Sequence, residues 1–247
     1  LLSTGKTGDV TNMTDVESGS PTPPEAESPV PLDAAEGIVL KPDPPGHSTQ
    51  PPASGWLSWN FALAVLLSAF LLFQVQPLIS KFILPWFGGS PGVWTTAMLF
   101  FQVALFAGYA YAHLSQRILS PRAQGIVHTF VLVAAVLLLP IAPNEGWKPT
   151  DSEHPISRIL ALLALAVGLP YFALSATGPL LQAWFSRACP GRSPYRLYAL
   201  SNVGSLAALL SYPVLFEPAF DLDAQAWLWS GAFLVFASLC GVCGYWA

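Results

Sequence analysis

The sequence predicts an all-α fold: a polytopic membrane helix bundle with about six transmembrane helices and a disordered N-terminal tail. Three observations carry this. Of the 247 residues 53% are hydrophobic and only 10% charged, far below the rough quarter of charged residues in soluble domains. Apolar stretches of membrane-crossing length recur along the chain, separated by short polar loops. All nine tryptophans (56, 59, 86, 94, 147, 184, 227, 229 and 246) fall in loops or near the ends of those stretches, where an amphipathic ring prefers the headgroup layer. A net charge of −4 leaves no broad basic surface, so a nucleic-acid partner is excluded. The partner implied is the lipid bilayer.

Residues 1–56 form the first region, a cytoplasmic tail rich in proline and acid. They hold two basic and eight acidic side chains and ten of the 24 prolines, with little apolar bulk to bury, the composition of a disordered segment. The chain opens at Leu1 rather than Met, which reads as a fragment or a processed or mis-started chain. No basic stretch followed by an apolar core marks a signal peptide there. The sequon Asn12-Met-Thr14 is expected to be silent in such a tail.

Residues 57–247 form the membrane domain. Six spans are expected, roughly Leu57 to Ile79, Val93 to Leu114, Gly125 to Ala142, Ile156 to Gln182, Tyr195 to Phe216 and Gln225 to Trp246. The third is the shortest and runs into Pro140 and Pro143. Arg117 and Arg122 lie between spans two and three, and Arg187, Arg192 and Arg196 between spans four and five. Because Lys and Arg are retained on the cytoplasmic side, both termini are expected inside, with the chain multi-pass in the inner (plasma) membrane.

The segment joining spans one and two, Gln74 to Trp94, is the most unusual. Gln74, Gln76 and Lys81 place polar and cationic groups at or beside membrane depth, where they are costly. Either they line a substrate-contacting cavity, or the glutamines bond neighbouring helices and Lys81 reaches the headgroups. Gly88 and Gly89 begin a turn rather than a phosphate loop, since no strand precedes and no Gly-Lys-Ser/Thr follows. In span two, Thr95, Gln102 and Tyr109 recur every seven residues and are expected to share a face turned away from lipid. Gln102 is therefore a further cavity candidate. Asn202 in span five is another, beside Gly204 and Ser205, whose small side chains suit close helix packing. Pro170 and Pro179 interrupt the fourth stretch, giving a kink or a broken helix.

Cys189, Cys240 and Cys243 and the dispersed histidines 47, 113, 128 and 154 define no metal site, and no cofactor is expected in this chain. No G-x-S-x-G, H-E-x-x-H, P-loop or dinucleotide fingerprint is present, so no catalytic residue is nominated.

Two stretches, Phe70 to Thr96 continuing into Gly108 to Leu114, and Pro194 to Ser205 with Tyr212-Pro213 and Glu217-Pro218, resemble the membrane portion of bacterial spermidine-synthase-like integral membrane proteins. The resemblance covers roughly residues 57 to 247. It implies a membrane region that anchors a cytoplasmic aminopropyltransferase-like domain and passes or senses a small molecule for it. That domain would lie beyond Ala247, so the resemblance carries no catalytic residue onto this sequence. Half of a secondary transporter and a non-catalytic scaffold are the rival expectations. Polyamine transport asks for carboxylates near the midplane, whereas Glu217 is placed by the sequence at an outer edge.

Overall fold

A computed structural model describes residues 55–143, 146, 148 and 155–246, which are helical almost throughout, with no strand among them. Six helices follow one another: α1 Gly55–Phe87, α2 Pro91–Ile118, α3 Pro121–Val136, α4 Pro155–Ala188, α5 Tyr195–Ala219 and α6 Leu222–Tyr245. Proline opens α2 and α3, where its missing N–H is no loss. Ser120 and Asp221 cap the helices that follow them, their side chains accepting from the amides of Ala123 at 3.4 Å and Ala224 at 2.7 Å. Gly88 takes φ +81°, left-handed backbone that glycine adopts without penalty. It turns the chain from α1 into α2.

Five helices, α1, α2, α4, α5 and α6, are long and apolar enough to cross a membrane. The third expected span is different, because α3 has sixteen residues against the roughly 20 that a crossing needs. Its helix ends ahead of Pro140, which disfavours helical backbone at the residue before it. α1 departs from expectation the other way. It runs past Ile79 to Phe87, through Pro77 and Pro85, each of which removes a single amide bond to the carbonyl four residues before it. Of the disordered tail expected over 1–56, residues 1–54, with the sequon and His47, lie outside the described residues, as do Trp147 and His154. Residues 55 and 56 begin α1.

α1 packs on α4, α5 and α6; α4 also packs on α2 and α3, and α3 packs on α6. The helices meet where side chains are small. A Cβ on Gly204 would come within 2.6 Å of the Leu66 carbonyl oxygen, so α5 and α1 touch backbone to backbone there. α2 and α4 cross where a Cβ on Gly108 would strike the Ser175 hydroxyl, and α3 meets α6 at Gly125 and Gly244. Such close approach favours packing where the hydrophobic effect between helices is absent. Ser205, in contrast, bonds the Ser201 carbonyl of its own helix at 2.9 Å.

α4 neither breaks nor simply kinks at Pro170. Over Ala164–Gly168 it widens into a π-helical turn and then resumes as Leu169–Ala188. The extra residue relieves the clash between the proline ring and the preceding turn. Pro179 is carried inside the resumed helix. α5 widens in the same way over Tyr212–Phe216, around Pro213.

The aromatic belt is only partly upheld. Trp56, Trp59, Trp94, Trp227 and Trp246 are exposed, but Trp184 and Trp229 are core residues. Their indole N–H groups donate to Gln124 Oε1 and to the Leu71 carbonyl, each at 3.1 Å. Closeness to a span end did not imply a headgroup position for these two, because each has a partner inside the bundle.

Candidate functional site

α2 and α5 flank α1 on one side without packing along each other, and between them lies a cleft of about 520 Å³. α1 forms its floor through Gln76, Ser80 and Lys81, α2 contributes Trp94 and Phe101, and α5 contributes Tyr212 and Glu217. Lys81 Nζ meets Glu217 Oε1 at 2.5 Å, and the two side chains are 34% and 44% exposed. The same ammonium sits 5.8 Å from the centre of the Tyr212 ring, within cation–π range.

The widened turn in α5 makes this geometry. Residues five apart in a regular α-helix lie about 140° apart around the axis. Here the Glu217 amide closes an i+5 bond to the Tyr212 carbonyl, which carries Glu217 toward the side that Tyr212 occupies. Lys81 thus finds an aromatic ring and a carboxylate together, with Glu217, at the outer end of α5, turned toward the cleft.

Deeper in, Gln76 Nε2 donates to the Tyr171 hydroxyl of α4 at 3.2 Å, and Tyr171 packs against Phe101 with ring centres 4.9 Å apart. Ser80 spends its hydroxyl on the Gln76 carbonyl at 2.7 Å. Tyr212 also borders a second cavity of about 230 Å³, which holds Gln74, Gln225 and Trp229. Gln74 is only 5% exposed. Tyr212 Oη and Gln225 Oε1 are buried without a hydrogen-bond partner, and a cavity of that size, mostly apolar but holding these two groups and Gln74, has room for water beside them.

Of the residues the sequence nominated, Gln76 and Lys81 meet in one cleft and Gln74 lines the cavity behind it. Gln102 and Asn202 do not join them. Both are exposed on the outer surface, as are Thr95 and Tyr109, so the polar stripe of α2 faces outward rather than inward. The seven-residue spacing identifies a shared face but does not choose its direction. Phe101 and Gly108 occupy the inward face instead. Gly88 and Gly89 are confined to the α1–α2 turn, away from the cleft lining.

Tyr171, Tyr212, Glu217 and Trp94 were missed as site residues. One signal pointed to Glu217: a lysine inside an apolar helix calls for a carboxylate partner. Among the described residues no group of three or more His, Cys, Asp or Glu is placed to hold a metal. Cys240 and Cys243 are buried free thiols, the latter accepting from Asn60 Nδ2 at 3.0 Å. The cleft offers one carboxylate, one ammonium and aromatic faces. These groups suit binding of a charged organic solute by exchange of ion-pair partners, and they include no activated nucleophile. No family model, curated protein or solved structure matches this chain.

Proposed function

We propose that this chain is the membrane module of a spermidine-synthase-like integral membrane protein. It anchors an aminopropyltransferase-like cytoplasmic domain and binds a small amine-bearing solute in the cleft between α1, α2 and α5. The observation that carries the reading is the Lys81–Glu217 pair in the cleft wall. An incoming ammonium group takes the place of Lys81 on Glu217 and gains the rings of Tyr212 and Trp94. Arg117, Arg122, Arg187, Arg192 and Arg196 gather at the opposite end, and by the positive-inside tendency that end, with both termini, faces the cytoplasm of the plasma membrane.

The test is a titration of spermidine, with a neutral acylated analogue as control, into the full chain in lipid nanodiscs, followed by tryptophan fluorescence. Saturable quenching by the amine alone is expected, weakened roughly 10- to 100-fold in Glu217→Gln, the loss of one charge-assisted contact. Absence of saturable binding, or equal binding by Glu217→Gln, overturns the reading.

A transporter half is the second reading, favoured by the widened turns within α4 and α5, since irregular backbone at membrane depth is characteristic of solute pathways. Uptake of the same amine into sealed vesicles, rather than binding alone, is its signature.

A further inference from the structure

The end of the bundle opposite the Lys81–Glu217 cleft carries its own built cavity. Three contacts bring the helix ends together there. Trp56 and Trp246 meet with ring centres 6.1 Å apart, Arg187 donates to Gln124 Oε1 at 3.1 Å, and Arg192 donates to the Ser58 hydroxyl at 2.5 Å. Arg117 and Arg122 border the short turn between α2 and α3 at this same end, so five arginines gather here. The described carboxylates, Glu217, Asp221 and Asp223, all belong to the other end.

Between the start of α1 and the α4–α5 connection lies a cleft of about 790 Å³. Arg192, Arg196, Ser58 and Ser193 supply its polar wall, while Ala62 and Leu197 give it an apolar side. Trp59, 71% exposed, stands at its edge. Arg192 uses one of its five donors on Ser58, which fixes the guanidinium across the cleft and leaves its remaining N–H groups for another acceptor. Arg196 is exposed on the first turn of α5.

We propose that this cleft binds the headgroup of an anionic phospholipid, the phosphate taken by Arg192 and Arg196 with the serine hydroxyls. The acyl chains descend past Ala62 onto the apolar flank of the bundle. The guanidinium fork matches two phosphate oxygens at once, and two features select a lipid over a free anion. Trp59 stands where an indole meets the headgroup layer. The polar wall continues directly into apolar surface, which a soluble anion has no means to use. Basic pockets between helices at a membrane face are suited to anionic lipid in this way. The inference rests on the bilayer environment of the helices and is independent of the amine reading of the other cleft.

The test is native mass spectrometry of the full chain released from nanodiscs containing equal phosphatidylglycerol and phosphatidylcholine. The wild type is expected to retain phosphatidylglycerol about ten times more than phosphatidylcholine. Arg192→Gln/Arg196→Gln is expected to bring that ratio near one, and Arg117→Gln/Arg122→Gln to leave it in place. Arg196→Gln alone, which spares the Arg192–Ser58 bond, is expected to lower the ratio at unchanged thermal stability. Equal retention of both lipids by the wild type overturns the proposal, as does equal loss in the two double variants. Displacement of the lipid by millimolar inorganic phosphate also overturns it, since the site would then be one for the free anion.

Discussion

At one end of the bundle Lys81 meets Glu217 at 2.5 Å across α1 and α5. At the other, five arginines stand with no carboxylate at that end among the described residues, and two of them are held by neutral oxygens, Ser58 Oγ and Gln124 Oε1. The first end pairs Lys81 internally and keeps the pair half-exposed in a cleft, where a ligand can exchange with it. The second, among the described residues, holds Arg187 and Arg192 on neutral oxygens, and Arg192 keeps further N–H groups for an outside anion. A cation in a membrane protein is thus a stability device or a recognition device according to what its neighbours supply, and charge counts alone do not separate the two.

The largest expected effect probes the neutral-acceptor end. Gln124 Oε1 accepts from both Trp184 Nε1 and Arg187 Nη2, and Trp184 is fully buried. Gln124→Leu strands a buried indole donor and is expected to cost about 1–3 kcal/mol, read as a fall in thermal unfolding midpoint. The loss should be nearly the same at low and high salt, because the bond to the indole involves no pair of opposite charges.

Lys81→Glu probes the ion-paired end. It sets two carboxylates against each other in a half-exposed site and is expected to cost about 1–2 kcal/mol, a modest figure because water screens the pair. The swapped variant Lys81→Glu/Glu217→Lys should recover most of it, and added salt should reduce the single variant's loss. If Gln124→Leu proves salt-sensitive and Lys81→Glu does not, the contrast between the ends fails.

The smallest effects belong to Gln102→Ala and Asn202→Ala. Both side chains point away from the bundle, so each change is expected to stay within about 0.5 kcal/mol and to leave amine binding in the cleft unaltered. Loss of binding in either variant would move the site to the outer surface.

The polar stripe of α2 explains why the site was less legible than the fold. In a soluble protein the apolar face of a helix marks the core. In lipid it does not, because hydrocarbon chains are as apolar as leucine. Met98, Val103 and Phe106 of α2 are exposed while Phe101 is buried, and nothing in their chemistry separates them. Gln102 therefore looked inward by the ordinary rule and lies outward. Gly204 was legible because closeness of two backbones requires a missing side chain whatever the solvent. Its counterparts Gly108 and Gly125 carry the same requirement, but their partners, Ser175 and Gly244, lie on helices distant in sequence.

The residues alone show that the chain is helical and apolar enough to lie in a membrane, where most of its turns fall, and that five of its six arginines lie at one end of the helices while Glu217, Asp221 and Asp223 lie at the other. Those properties follow from local backbone preference and from transfer energies that add residue by residue. Packing between helices is what makes Trp184 and Trp229 core residues and lets a widened turn carry Glu217 to Lys81. Each of these depends on which helix faces which, a matter of packing between segments 60 to 158 residues apart, and the hydropathy of a single segment holds no information about its partner.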